Sequence, residues 1–150
     1  MAQLDIQSAQ DGIREAIRQL ERADLFTDEN LKPILTAGTE VMLTSVKSAF
    51  VAAGHNSRSE RCTGQTFQHI TKARRVSRDK RGVPYMYVTI NGKDSRGQRY
   101  GVKGFVLNYG RRTGGKIPAD YYWSNALQAA WEPVNKAMTD KAAEIINTER

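Results

Sequence analysis

The chain has 150 residues, 39% hydrophobic and 26% charged, the length and balance of one folded domain (1–150) around a single core. No apolar run approaches the roughly 20 residues that span a bilayer, and the opening Met1-Ala-Gln-Leu-Asp-Ile lacks a secretory layout. One cysteine, Cys62, excludes an internal disulfide, so the sequence predicts a protein made in a cytoplasm, without a membrane partner.

The net charge of +7 is unevenly spread. Residues 1–54 carry a net −3, residues 55–116 a net +12 and residues 117–150 a net −2. A basic block of that kind serves a polyanion, an acidic protein surface or simply the solvent.

In chain order, residues 9–23 read as a first helix, with Ile13, Ile17 and Leu20 at helical spacing. Leu25 and Phe26 are expected to pack where it ends. Thr27-Asp28-Glu29-Asn30 is a helix start signal, and with Asn30 as the cap Pro33 falls in the first turn. A stripe of Leu31, Ile34, Leu35, Met42, Val46 and Ala49 follows, closed by Gly54 as the left-handed residue after the helix. Gly38 within it predicts close packing against another element.

His55 to Gln65 is polar and rich in Ser, Arg and Gly, the composition of a loop. Phe67–Ile70 makes a short turn or helix. Period-two patterning then marks Thr71–Arg78, Val83–Ile90 and Arg99–Tyr109 as strands, with Met86, Val88 and Ile90 on one face and Tyr85, Tyr87 and Thr89 on the other. Turns at Arg78–Gly82 and Asn91-Gly92 predict an antiparallel meander, and Pro84 a strand start or an edge. Gly101 and Gly104 weaken the third strand. Pro118 is placed in the first turn of a last helix, Ala119 to Asn147, whose apolar face is Trp123, Leu127, Ala130, Trp131, Val134, Met138 and Ile145. Pro133 predicts a kink or break in it. The fold class is α+β: two N-terminal helices, a small antiparallel sheet, and a long C-terminal helix packed on the sheet.

Catalytic patterns are weak. Gly110-Arg-Arg-Thr-Gly-Gly115-Lys116 fits seven positions of a phosphate-binding P-loop, but Ile117 stands where Ser or Thr must hold magnesium. Cys62, His55 and His69 fall short of a four-ligand zinc site. Arg61 beside Cys62 favours a thiolate, but no partner residue is positioned for nucleophilic chemistry. The aromatics among the basic residues, Tyr85, Tyr87, Tyr100, Phe105 and Tyr109, are read first as core or cross-strand pairs and second as base-stacking rings. The expectation is a protein that is not an enzyme, with no catalytic residues, metal or cofactor.

The order of short signatures resembles the phage tail-component family, the tail-completion or head–tail joining proteins of long-tailed bacteriophages. The likeness runs from about Gly12 to the C-terminus. Its carriers are Thr63-Gly64 with Ile70 behind a long helix, two strands across a charged turn, and Phe105-Val-Leu-Asn-Tyr-Gly110. Ile117-Pro118, Tyr121-Tyr122-Trp123 and Ala126-Leu127 follow at the last helix. Asn108 stands where the family has Glu, and Gln65-Thr66-Phe67 replaces its small-then-Leu pair, so a loop fixed by that Glu is expected to sit differently here.

The resemblance implies a virion component of the neck or tail, assembled in the host cytoplasm as a homo-oligomeric ring beside other neck and tail proteins. In such a ring the acidic helical face meets the basic loop-and-sheet face, and charge reversal at Arg74 and Arg75 is expected to weaken assembly. The channel of a tail also carries DNA. Arg58, Arg61, Arg74, Arg75, Arg78, Lys80 and Arg81, with Arg111, Arg112 and Lys116, are therefore the candidate interface or channel residues. The alternative is a nucleic-acid-binding module acting through phosphate contacts.

Overall fold

The structure, a computed structural model, describes residues 2–5, 11–55, 65–113 and 115–149, with side-chain surroundings given from Ile17 onward. The elements run β1 (Ala2–Asp5), α1 (Asp11–Arg22), α2 (Asp28–Ala52), α3 (Gln65–Gln68), β2 (Ile70–Lys72), β3 (Ser77–Arg78), β4 (Pro84–Ile90), α4 (Tyr100–Tyr109) and α5 (Tyr122–Thr148). The class is α+β, as expected. Most of the loop between α2 and α3, with Arg58, Arg61, Cys62 and Thr63-Gly64, lies outside the described residues.

The two long helices form the centre. α2 turns Leu31, Ile34, Leu35, Met42, Val46 and Phe50 inward, and Gly38 and Thr39 are buried on the same face. Its start is capped by Thr27, whose hydroxyl accepts the Asn30 N–H at 3.3 Å. Asn30 is therefore not the cap. It lies in the first turn and its side-chain amide donates to the Leu25 carbonyl (2.8 Å). Pro33 consequently falls one turn deeper than expected, inside the helix, where its ring removes one backbone hydrogen bond. Gly54, at φ +79°, ends the helix in the left-handed conformation that glycine adopts without steric cost.

α5 packs along α2 and against α1, and its first turn meets the end of the sheet at Ile90 through α4. Pro118 precedes this helix and does not enter it, and Pro133 does not break it: α5 is continuous from Tyr122 to Thr148, with Pro133 on its exposed side. The buried line is Tyr122, Ala126, Ala130, Val134, Met138, Ala142 and Ile146, while Trp123, Leu127, Trp131 and Ile145 lie beside it, half-buried. Alanines at the contact let α2 and α5 approach closely.

The sheet is antiparallel around β4, with β1 on one side and β2 and β3 on the other. Met86 and Val88 face α2 and are fully buried, as the alternation requires. Pro84 is the first residue of β4, where its missing N–H costs no ladder bond. The Thr71–Arg78 strand exists but is interrupted. Ala73 pairs with Tyr87 and Ser77 with Tyr85, so Arg74, Arg75 and Val76 stand opposite Met86 alone, a bulge two residues longer than its partner.

The third expected strand is absent. Arg99–Tyr109 forms the helix α4, and the second neighbour of β4 is β1, a four-residue segment that its sequence does not announce. Asn91 to Arg99 forms a tight loop instead, held by Asp94, whose carboxylate accepts the Arg96 and Gln98 N–H groups and the Lys103 ammonium. Lys103 holds the Asp94 carboxyl below its ordinary value, with the Gln98 N–H adding to the effect.

Candidate interaction surface

Apart from Tyr100, which is buried, and Leu107, which packs against the core, α4 is built with its faces exchanged. An amphipathic helix turns large apolar side chains inward and small or polar ones outward. Here Gly101, Gly104 and Asn108 face the protein, at helical spacing, while Val102, Phe105 and Tyr109 face solvent. The exposures are 49% for Val102, 62% for Phe105 and 54% for Tyr109.

The inward glycines have a steric reason. A Cβ on Gly104 would stand 2.3 Å from Ile90 Cδ1 and 3.2 Å from the Tyr122 hydroxyl, and one on Gly101 would stand 3.1 Å from the Ile90 carbonyl. The Gly104 carbonyl accepts a hydrogen bond from Tyr122 (3.2 Å). Burial, with the Asp120 charge adding to it, pushes the Tyr122 hydroxyl well above the ordinary phenol range, so it stays a donor. The backbone of α4 thus lies directly on the end of β4 and the start of α5.

Asn108 fixes the third side of this contact. Its Oδ1 accepts the N–H groups of Trp123 (2.9 Å) and Ser124 (3.3 Å), its Nδ2 donates to the Ser124 hydroxyl (3.1 Å), and its carbonyl accepts the Tyr121 N–H (3.0 Å). Asp120 takes the Tyr122 N–H (3.0 Å), so the N–H groups that the start of a helix leaves over are all satisfied. The cap of α5 comes from another helix, since Tyr121, at the capping position, makes no side-chain cap. The position where the resemblance expects Glu is therefore the anchor between α4 and α5.

Tyr121 itself sits at φ 55°, ψ 28°, a left-handed conformation that costs a non-glycine residue about 1–2 kcal/mol. The conformation leaves its ring 50% exposed and edge-on to Tyr109 (6.3 Å, 85°), which in turn lies 4.6 Å from Phe105. Phe105, Tyr109 and Tyr121 form one aromatic surface, extended by Val102. Beside it, a groove of about 560 Å³ runs between Ile90, Gly92, Arg99, Val102 and Phe105. Single exposed apolar residues are ordinary, whereas this group is contiguous, and its Tyr121 is held out by a left-handed backbone.

The charge around it is mostly of one sign, Asp120 beside Tyr121 being paired with His55. Residues 95–119 hold six Lys or Arg and no Asp or Glu. Arg99 leads into α4, and Arg111, Arg112 and Lys116, all exposed, follow it. The loop that carries them closes on itself through paired backbone bonds between Arg111 and Ile117, with Arg111 Nε donating to the Gly115 carbonyl. α4 precedes the loop and α5 starts only at Tyr122, so the strand–loop–helix arrangement of a P-loop is not formed.

The other candidate residues lie elsewhere. Arg74 and Arg75 are exposed on the bulge; Arg78, Lys80 and Arg81 cluster at the start of β4. There Arg78 pairs with Asp28 and with the Gly82 carbonyl, and Arg81 with Asp79. Among the described residues, the candidate basic residues therefore fall at the start of β4, on the mid-strand bulge, and on the loop after α4. His55 pairs with Asp120 and packs on Phe50 and Tyr122; His69 stacks on Tyr100 at 4.2 Å. Among the described residues no group of His, Cys, Asp and Glu is arranged to hold a metal ion, and no helix is long and apolar enough to cross a membrane.

Sequence reasoning missed Asn108 and the outward rings because it read 99–109 as a strand. The available signal was Gly101, Gly104 and Asn108 at i, i+3 and i+7, with Tyr100 at i−1, a helical face carried mostly by small residues. No protein-family model, curated protein or solved structure matches the chain.

Proposed function

We propose that this chain is a structural virion protein of a long-tailed bacteriophage, a neck or tail-completion subunit working in a ring at the head–tail interface, without catalytic chemistry of its own. The observation that carries the assembly part of this reading is the exchanged polarity of α4. A helix that spends glycines and asparagine on its own protein and presents Val102, Phe105 and Tyr109 to solvent is shaped for a partner surface. The phage context is supported by the ordered signatures from Thr63-Gly64 to Ala126-Leu127. The test is electron microscopy of lysates from the parent phage or prophage with this gene deleted. Free heads and free or aberrant tails, rescued by the supplied protein, are the expected result; normal infectious particles overturn the reading.

A second reading is favoured by the same acid-free stretch 95–119 beside exposed rings: nucleic-acid binding through phosphate contacts and stacking. It requires an affinity that falls steeply with salt, and no binding at low salt removes it.

A further inference from the structure

We infer that the aromatic face of α4 docks the acidic corner between α1 and α2 of a second copy of this chain, head to tail. The inference deepens the ring part of the function proposed above and rests on it only in requiring self-association. The corner, residues 21–29, exposes Glu21, Asp24, Asp28 and Glu29 against Arg22 and the Arg78 that pairs with Asp28, and among them Phe26 is 36% exposed. It thus has an apolar centre with an acidic rim, while the α4 face has an apolar centre with a rim of Arg99, Arg111, Arg112 and Lys116. Charge of opposite sign around apolar centres gives both attraction at a distance and water exclusion on contact.

The placement of the two surfaces fits this occupant. Asp28 is tied by its ion pair to Arg78, which pairs with Pro84 at the first residue of β4. α4 lies on Ile90, the last residue of that strand. The two surfaces thus stand at opposite ends of β4, about 20 Å apart along the strand at ~3.3 Å per residue. Complementary surfaces at opposite ends of one subunit make a heterologous contact, each copy offering one surface to the copy before it and the other to the copy after. They propagate head to tail until the rotation closes a ring.

Two interface variants and their mixture test this. The first, Phe105→Ser with Arg111→Glu and Arg112→Glu, removes the α4 face; the second, Glu21→Lys with Glu29→Lys, removes the corner. Sedimentation velocity of the wild type is expected to show oligomers, and each variant alone about tenfold or weaker association. Mixed one to one, the variants should form heterodimers that grow no further, because each supplies one intact surface and the remaining two are the altered ones. Circular dichroism confirms folding. Should either variant lose structure, Arg112→Gln and Glu29→Gln serve, with a weakening of several fold.

A wild type that stays monomeric overturns the inference, as does an α4-face or corner variant that still self-associates fully, or folded variants that fail to combine. A monomer whose salt-dependent oligonucleotide binding is lost in the first variant also overturns it, in favour of nucleic acid. Oligomers insensitive to both variants remove this contact while leaving the ring reading to the deletion experiment.

Discussion

α2 and α4 spend their apolar residues in opposite directions. In α2, Leu31, Leu35, Val46 and Phe50 are all but inaccessible and the protein's stability rests on them. In α4, Val102 and Phe105 leave the protein, and the glycines and Asn108, with Tyr100 and Leu107, make the contacts that hold the helix. The first helix is stabilised by removing side chains from water; the second by steric fit of its backbone and by capping bonds. The comparison teaches that the same residue types are buried in one place and left at the surface in another, and that burial, not hydrophobicity, separates the two.

The largest effect is expected where the first helix meets the start of α5. Phe50, edge-on to Tyr122 at 5.3 Å, should cost about 3–5 kcal/mol when replaced by Ala, read by chemical denaturation. Next is Gly110→Ala, behind α4. Gly110 sits at φ +77°, and a Cβ there would stand 2.7 Å from the Ile117 carbonyl and 2.8 Å from the Ala119 nitrogen. Backbone cannot retreat as a side chain can, so a loss of about 2 kcal/mol or more is expected, with no gain in helix content.

Asn108→Ala should cost about 1–3 kcal/mol by leaving the first N–H groups of α5 without their acceptor. Asn108→Asp, which keeps an acceptor at the positive end of the helix, should recover most of it. An equal loss in both variants would show that packing, not capping, is the role. Phe105→Ser is expected to change stability by no more than about 0.5 kcal/mol, as surface substitutions do, while association weakens. A loss as large as that of Phe50→Ala would dissolve the contrast between the helices.

The smallest effect concerns pH. The depressed Asp94 carboxyl contributes stability that is present above the unfolded value near 3.8 and is lost as pH falls through the lower folded value. The Tm deficit of Asp94→Asn should therefore be constant from pH 7 to 5 and shrink below pH 4. A deficit unchanged at pH 2.5 would mean that the carboxylate's charge plays no part in the 91–99 loop.

Much of the fold was legible in the sequence. The stripes of α2 and α5 announce themselves because long helices repeat their pattern often enough to be read, and β4 shows its alternation over Met86, Val88 and Ile90. Thr27 and Asn30 competed for the same cap, and the choice depends on backbone conformation that side-chain identity does not reveal. β1 is too short to carry a pattern and exists by virtue of its pairing with β4. Pro133 is tolerated because it lies on the outer side of α5. The candidate surface was hidden for a more specific reason. Periodicity methods assume that large apolar residues point inward, and in α4 Val102, Phe105 and Tyr109 point outward while Gly101, Gly104 and Asn108 share the inner face with Tyr100. Of the basic residues singled out, Arg111, Arg112 and Lys116 do border the aromatic surface, whereas Arg78, Lys80 and Arg81 belong to the other end of β4.

The bulge at Arg74–Val76 has a bearing on backbone pairing at the edge of the sheet. The strand formed by β2 and β3 flanks β4 on one side, and an uninterrupted outer strand is a template onto which another chain's backbone can zip, copy after copy, without regard to side chains. Three residues opposite one break the repeat of N–H and C=O groups in mid-strand, and two of the three are exposed arginines that a pairing strand would have to desolvate. Backbone pairing along that edge is disfavoured.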